Sequence, residues 1–132
     1  MSKILVIDDD PANRDILRAR LEPAGHLVAE ASDGEAGLRL LESEPPDLVF
    51  LDVMMPRIDG WQVCRRIKAN PKTQFIRVVM LTSMGQQIDQ LRGWESGADE
   101  YLIKPWDPVK LLAVVNKWCA AKGQKPESGP PP

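Results

Sequence analysis

Leu48-Val49-Phe50-Leu51-Asp52 is four apolar residues closed by an acid, and the same construction recurs along the chain. Ile4-Leu5-Val6-Ile7 runs into Asp8-Asp9-Asp10, Val78-Val79-Met80-Leu81 into Thr82-Ser83, and Tyr101-Leu102-Ile103 into Lys104. A strand with one wet face alternates apolar and polar residues. An unbroken apolar run fits a strand covered on both faces, as in a parallel sheet held between helices. Leu27-Val28-Ala29 is shorter and more mixed, as expected of an outer strand.

Between these runs the apolar residues fall at helical spacing. Ile16, Leu17 and Leu21 form one stripe, Ala36, Leu40 and Leu41 a second, and Val63, Cys64 and Ile67 a third. Ile88 and Leu91 make a shorter fourth, and Leu111, Leu112, Val115, Trp118 and Cys119 the fullest. Ser32 and Glu35 have capping-box spacing, Asp10-Pro11 and Asp107-Pro108 each suit a cap and first turn, and Asp59-Gly60 suits a turn into a helix. Gly25, Gly97 and Asn70-Pro71 stand where helices should stop. Five strands alternating with five helices predict a doubly wound α/β domain.

The chain has 132 residues, 43% hydrophobic and 27% charged, which suits one domain with a core of useful size. Residues 1–122 read as that domain and 123–132, rich in proline and glycine, as a flexible tail or linker stub. A formal net charge of −2 offers no basic face, so no direct nucleic-acid contact is expected. No apolar run approaches the roughly 18 residues needed to span a bilayer, and the N-terminus has no secretion-signal pattern. Cys64 and Cys119 sit on apolar helix faces and read as buried free thiols, which suits a cytoplasmic protein. His26, with no acidic or thiol companions, reads as a surface loop residue.

In open parallel sheets the ligand crevice lies beyond the carboxyl ends of the strands. Asp8-Asp9-Asp10, Asp52, Thr82 and Lys104 all follow strands and are delivered to that edge. Asp10 reads as a cap for the first helix. Carboxylates gathered in a partly desolvated crevice repel one another and call for a counter-charge. A set of oxygens without His or Cys suits a hard cation such as magnesium. Asp9 and Asp52 are the expected direct ligands, with Asp8 acting through a water. Metal, lysine and threonine together suit phosphoryl transfer, for which an aspartate can be the nucleophile.

At these residues the sequence resembles the receiver domain of two-component response regulators, the family that includes the bacterial chemotaxis regulator. The resemblance runs from about Lys3 to Ala121. It rests on Ile4-Leu5-Val6-Ile7-Asp8-Asp9-Asp10-Pro11, Leu51-Asp52-Val53-Met54-Met55-Pro56-Arg57-Ile58-Asp59-Gly60, Met80-Leu81-Thr82-Ser83 and Tyr101-Leu102-Ile103-Lys104-Pro105. It implies a flavodoxin-like sheet of order 2-1-3-4-5, with Asp52 as phosphoacceptor and Asp8 and Asp9 as the acidic pair holding Mg2+. The backbone carbonyl of Met54 is implied as a further ligand. Thr82 and Lys104 are implied to close on the phosphoryl group, Tyr101 to be the aromatic switch residue, and Lys104-Pro105 to be joined by a cis bond.

The same resemblance implies a sensor histidine kinase or histidine-phosphotransfer protein as donor. A downstream effector is implied on the face of the fourth helix, fifth strand and fifth helix. Trp94 and Trp106 are candidates for a partner or homodimer surface there, and Trp118 for the core. Met54 and Met84 flank the acceptor and the threonine, where large apolar side chains would hinder an attacking water. The chain is expected to promote its own phosphorylation and slow dephosphorylation without turning over an external substrate. The rival readings are a phosphorylation-independent interaction module and a magnesium-dependent aspartyl-phosphate phosphohydrolase.

Overall fold

The computed structural model describes residues 2–82, 97–103 and 107–120. Strands β1 (Lys3–Ile7), β2 (Leu27–Ala31), β3 (Leu48–Asp52), β4 (Arg77–Thr82) and β5 (Glu100–Ile103) pair in parallel, in the order β2-β1-β3-β4-β5. Helices α1 (Pro11–Leu21), α2 (Gly34–Ser43), α3 (Gly60–Ala69) and α4 (Pro108–Ala120) complete the described elements. The helix expected on Ile88 and Leu91 lies outside the described residues, so α4 is the fifth helix of the sequence reading. The tail expected over 123–132 also lies outside them. Among the described residues, no helix is long and apolar enough to cross a membrane.

Successive strand side chains point to opposite faces, so each apolar run is shared between two cores. Leu5, Ile7, Val49, Leu51, Val78 and Met80 pack with Leu41 of α2 and with Val63, Cys64 and Ile67 of α3. Ile4, Val6, Leu48, Phe50, Val79 and Leu81 pack with Leu17 and Leu21 of α1 and with Leu111, Val114 and Val115 of α4. Every residue of β3 and β4 is buried, whereas the edge strand β2 is buried only at Ala31.

Four expectations need correction. Ile16 is 52% exposed, because it stands about 100° round α1 from Leu17, and the core takes only Leu17 and Leu21. Helix α2 is capped by Asp33, which accepts from the Ala36 N–H at 2.8 Å, and Ser32 and Glu35 form no box. The start is fixed by packing: Gly34 opens the helix so close to Ile58 and Val63 that a side chain there would overlap both. Cys64 is buried, but Cys119 is only half-buried; it packs against the core on the α1 side of the sheet, as does Trp118, in keeping with the core reading of that tryptophan. His26 is half-buried as well, and its Nδ1 is enclosed without a hydrogen-bond partner among the described residues.

Other caps follow the sequence. Asp10 accepts from Ala12 N at 2.9 Å and Asp107 from Val109 N at 2.9 Å. Asp59 forms a full capping box with Gln62, which the sequence reading did not include. Gly25 and Gly97 take left-handed backbone, with φ of 95° and 92°.

An ionic cluster closes the amino-terminal end of β4 and β5. The Asp99 carboxylate accepts from Val78 N and from Lys68 Nζ of α3, both at 2.8 Å, and lies 3.5 Å from Arg77 Nη1. The Arg77 guanidinium lies 5.0 Å from the Trp118 ring centroid, and Trp118 Nε1 donates to Glu100 at 2.8 Å. These contacts tie α3 on one face of the sheet to α4 on the other.

Candidate metal centre at the carboxyl edge of the sheet

Strand order decides which acids can meet. β1 and β3 are neighbours, with Ile7 opposite Leu51, so the residues that follow them, Asp8 and Asp52, emerge side by side. Asp8 is fully buried and Asp52 is 5% exposed, while Asp9 is exposed at the mouth. One carboxylate oxygen from each of Asp8, Asp9 and Asp52 lies within 4.8 Å of the others. β4, on the far side of β3, ends in Thr82, which is 2% exposed.

Backbone geometry holds this cluster. Asp8 N donates to Ala31 O at 3.1 Å, and Asp8 Oδ1 accepts from Asp10 N at 2.9 Å. Asp10, as expected, serves the helix cap. Val53 N donates to Leu81 O at 3.0 Å, and Met54 N leans on Asp52 Oδ1 at 3.4 Å. The loop then folds back so that Gly60 N reaches Val53 O at 3.0 Å. At Gly60 a Cβ would collide with the Asp52 carbonyl oxygen and stand 2.9 Å from Val53 Cα, so only glycine lets α3 begin there. Within the loop Arg57 takes a left-handed φ of 67° and pairs with Asp33 at 3.5 Å.

The electrostatics favour a cation. Two unit charges about 5 Å apart repel by roughly 3 kcal/mol at an effective dielectric near 20, and three carboxylates make three such pairs. The donors are all hard oxygens, two of them on buried residues, and among the described residues no nitrogen or sulfur ligand joins them. This set fits magnesium, which uses few carboxylates and keeps several waters. Met54, 65% exposed, stands at the lip of the site, two residues beyond Asp52.

Of the other expected site residues, Tyr101 is half-buried and packs against the α3-side core, its ring centroid 6.3 Å from that of Trp61. Lys104 lies outside the described residues, and so do the Lys104-Pro105 bond, Met84, Trp94 and Trp106.

One polar chain beside the site was not anticipated. Arg14 Nη1 donates to the Asp8 carbonyl at 2.7 Å, and Arg14 Nε donates to Glu30 at 2.9 Å. The second Glu30 oxygen accepts from Arg18 Nε at 2.7 Å, and Arg18 also reaches Glu22 at 2.9 Å. Burial pushes the Glu30 carboxyl up, but the bonds from Arg18 and Arg14 outweigh it and leave the pKa below its usual value. The bond to Glu30 raises Arg18 in turn. The four-residue spacing of Arg14 and Arg18 on α1 was a legible signal. Their shared partner on β2 was not.

The family model described as the response regulator receiver domain matches residues 4–116. The DNA-binding dual master transcriptional regulator RpaA of Synechocystis is 47% identical over 115 residues, covering 87% of this chain and 48% of that protein. AfsQ1, a transcriptional regulatory protein of Streptomyces coelicolor, is 48% identical over 105 residues, covering 80% and 45%. The chain thus spans about half the length of these relatives. Among solved structures, the signal receiver domain of a histidine kinase from Syntrophus aciditrophicus superposes with a TM-score of 0.88 at 32% identity, covering 97% of this chain and 96% of that one. The chemotaxis protein CheY4 of Vibrio cholerae gives 0.84 at 28% identity, covering 89% and 98%. The expectation of no nucleic-acid contact finds no support in these relatives, since RpaA is DNA-binding by name.

Proposed function

Because the chain belongs to the response regulator receiver domain family, we propose that it is a phosphoacceptor switch in which Asp52 takes a phosphoryl group from a histidine kinase or histidine-phosphotransfer protein. The observation that carries this reading is the convergence of the Asp8, Asp9 and Asp52 carboxylates within 4.8 Å at the carboxyl edge of a parallel sheet. Asp8, Asp9, Asp52 and the Met54 carbonyl would hold Mg2+. When bound, the ion supplies charge neutralisation for the acids and for the incoming phosphoryl oxygens.

The residues then have separate tasks. A carboxylate oxygen of Asp52 forms a bond to phosphorus as the donor's N–P bond breaks, and the imidazole leaves with the electron pair. Burial keeps Asp52 from wandering, and its own backbone, pinned through Val53 and Gly60, sets the line of attack. Thr82 donates a hydrogen bond to the transferred group and Lys104 contributes a point charge. Contacts made only in the phosphorylated state shift the balance between two conformations, and Tyr101 follows that shift.

The product is a signal, carried to an effector through β5, α4 and the segment before them. Relatives named as transcriptional regulators favour transcription as the process served, in the cytoplasm. Residues 1–122 form the receiver unit. Magnesium and acetyl phosphate added to the protein should give one phosphoryl adduct by intact mass, mapped to Asp52 and abolished by Asp52→Asn or by chelation. Adduct persisting on the Asp52→Asn chain, or continuing turnover of the acyl phosphate far beyond one equivalent, would refute the reading.

A further inference from the structure

Asp8 and Asp9 are useful as metal ligands only if the turn that carries them holds them against Asp52. Their immediate backbone is a junction between β1, which ends at Ile7, and α1, which begins at Pro11. Three residues join a strand to a helix there. The Asp8 N–H and side chain are tied to Ala31 and Asp10, but its carbonyl faces α1 and is gripped by the Arg14 guanidinium at 2.7 Å.

Arg14 is itself restrained. Its Nε bonds one oxygen of Glu30 on β2, and Arg18, one turn along α1, bonds the other at 2.7 Å. The outcome is a brace that spans α1, β2 and the end of β1. A guanidinium with five donors in a planar fork can hold a carboxylate and a carbonyl together, which an ammonium cannot do with the same geometry.

We propose that Arg14 is a positioning residue for the metal site, acting through the Asp8 carbonyl and held in place by Glu30. The proposal rests on the reading of Asp8, Asp9 and Asp52 as magnesium ligands and adds a residue that touches neither the ion nor the phosphoryl group. Partners that orient metal ligands in this way matter by about tenfold or more in metal affinity.

The sign of the effect separates positioning from simple charge. Arg14 places a positive charge beside the acidic trio, so deleting it should by Coulomb's law alone tighten cation binding. Loss of positioning should weaken it. The two effects pull in opposite directions.

Titration calorimetry with magnesium chloride on the full chain tests this, with urea unfolding run on each variant. Arg14→Met should bind magnesium about tenfold more weakly than the native chain. Arg18→Met, which spares the Asp8 contact, should stay close to native. Native or tighter affinity in Arg14→Met, even with lowered stability, would overturn the proposal, because a purely structural role moves only the unfolding curve. Should Arg14→Met fail to fold, Glu30→Gln keeps the guanidinium and loosens its anchor. Weakened binding in it supports the brace, and native affinity contradicts it. Asp9→Asn serves as the control on the site. If it binds magnesium as the native chain does, the metal reading itself fails and the brace with it.

Discussion

Replacing Gly60 with alanine puts a methyl group against the Asp52 carbonyl oxygen and 2.9 Å from Val53 Cα. Both obstacles are backbone, so neither can rotate away. Helix propensity alone would reward the change by up to about 1 kcal/mol, since Gly60 is the first residue of α3. Overpacking of a tight contact costs about 1–3 kcal/mol. The clash should win, leaving a net loss of roughly 1–2 kcal/mol, or about 0.5–1 M in the urea midpoint at an m-value near 2 kcal/mol/M. The displaced atoms belong to the acceptor residue itself. A shift of its backbone approaching 1 Å should slow phosphorylation by acetyl phosphate by at least about tenfold, given the steep dependence of transfer on geometry. Gly25→Ala is the matched control: its φ of 95° makes alanine strained, but nothing lies within 4 Å of the new methyl. It should lose about 1 kcal/mol of stability and keep the native rate. A Gly60→Ala chain as stable as native, phosphorylated at the native rate, would show that α3 does not press on Asp52 as described.

Asp99→Ala removes the carboxylate that Lys68 and Arg77 share, and should cost about 3–5 kcal/mol in urea unfolding. A loss under about 1 kcal/mol would mean that water or rearrangement replaces it. Burial holds the His26 imidazole below its usual pKa of 6.5. The folded chain therefore resists protonation that the unfolded chain accepts, so this contribution is intact above pH 6.5 and is lost as pH falls below it. Native stability should drop more between pH 7.5 and 5.5 than that of His26→Gln, and parallel curves would contradict this. Met54→Asn, at the lip of the site, should shorten the lifetime of the phosphorylated chain severalfold, as followed by loss of the adduct. An unchanged lifetime would remove the apolar side chain as a barrier to water.

The fold was legible because its strands are covered on both faces. β1, β3 and β4 have no wet side to encode, so their sequences are unbroken apolar runs, and β2 at the edge is correspondingly mixed. The acids were legible for a related reason: Asp8, Asp9 and Asp52 interrupt those runs at one end. Contacts that depend on pairing between distant segments left no trace. Nothing in α1 announces that Arg14 and Arg18 converge on Glu30, which requires β2 to lie beside β1. Likewise Asp99 meets Lys68 and Arg77 only once α3, β4 and β5 are assembled. The α2 cap shows a finer limit. Ser32 and Glu35 had the spacing of a box, but the contact of Gly34 with Ile58 and Val63 moved the helix start by one residue.

β4 carries Arg77 at one end and Thr82 at the other, five steps or about 16 Å apart. Alterations separated by more than about 10 Å, with no partner in common, generally combine by simple addition. Robustness can therefore be engineered at the Asp99 terminus without disturbing reactivity at the Asp52 terminus, and gains made at each should superimpose in one molecule.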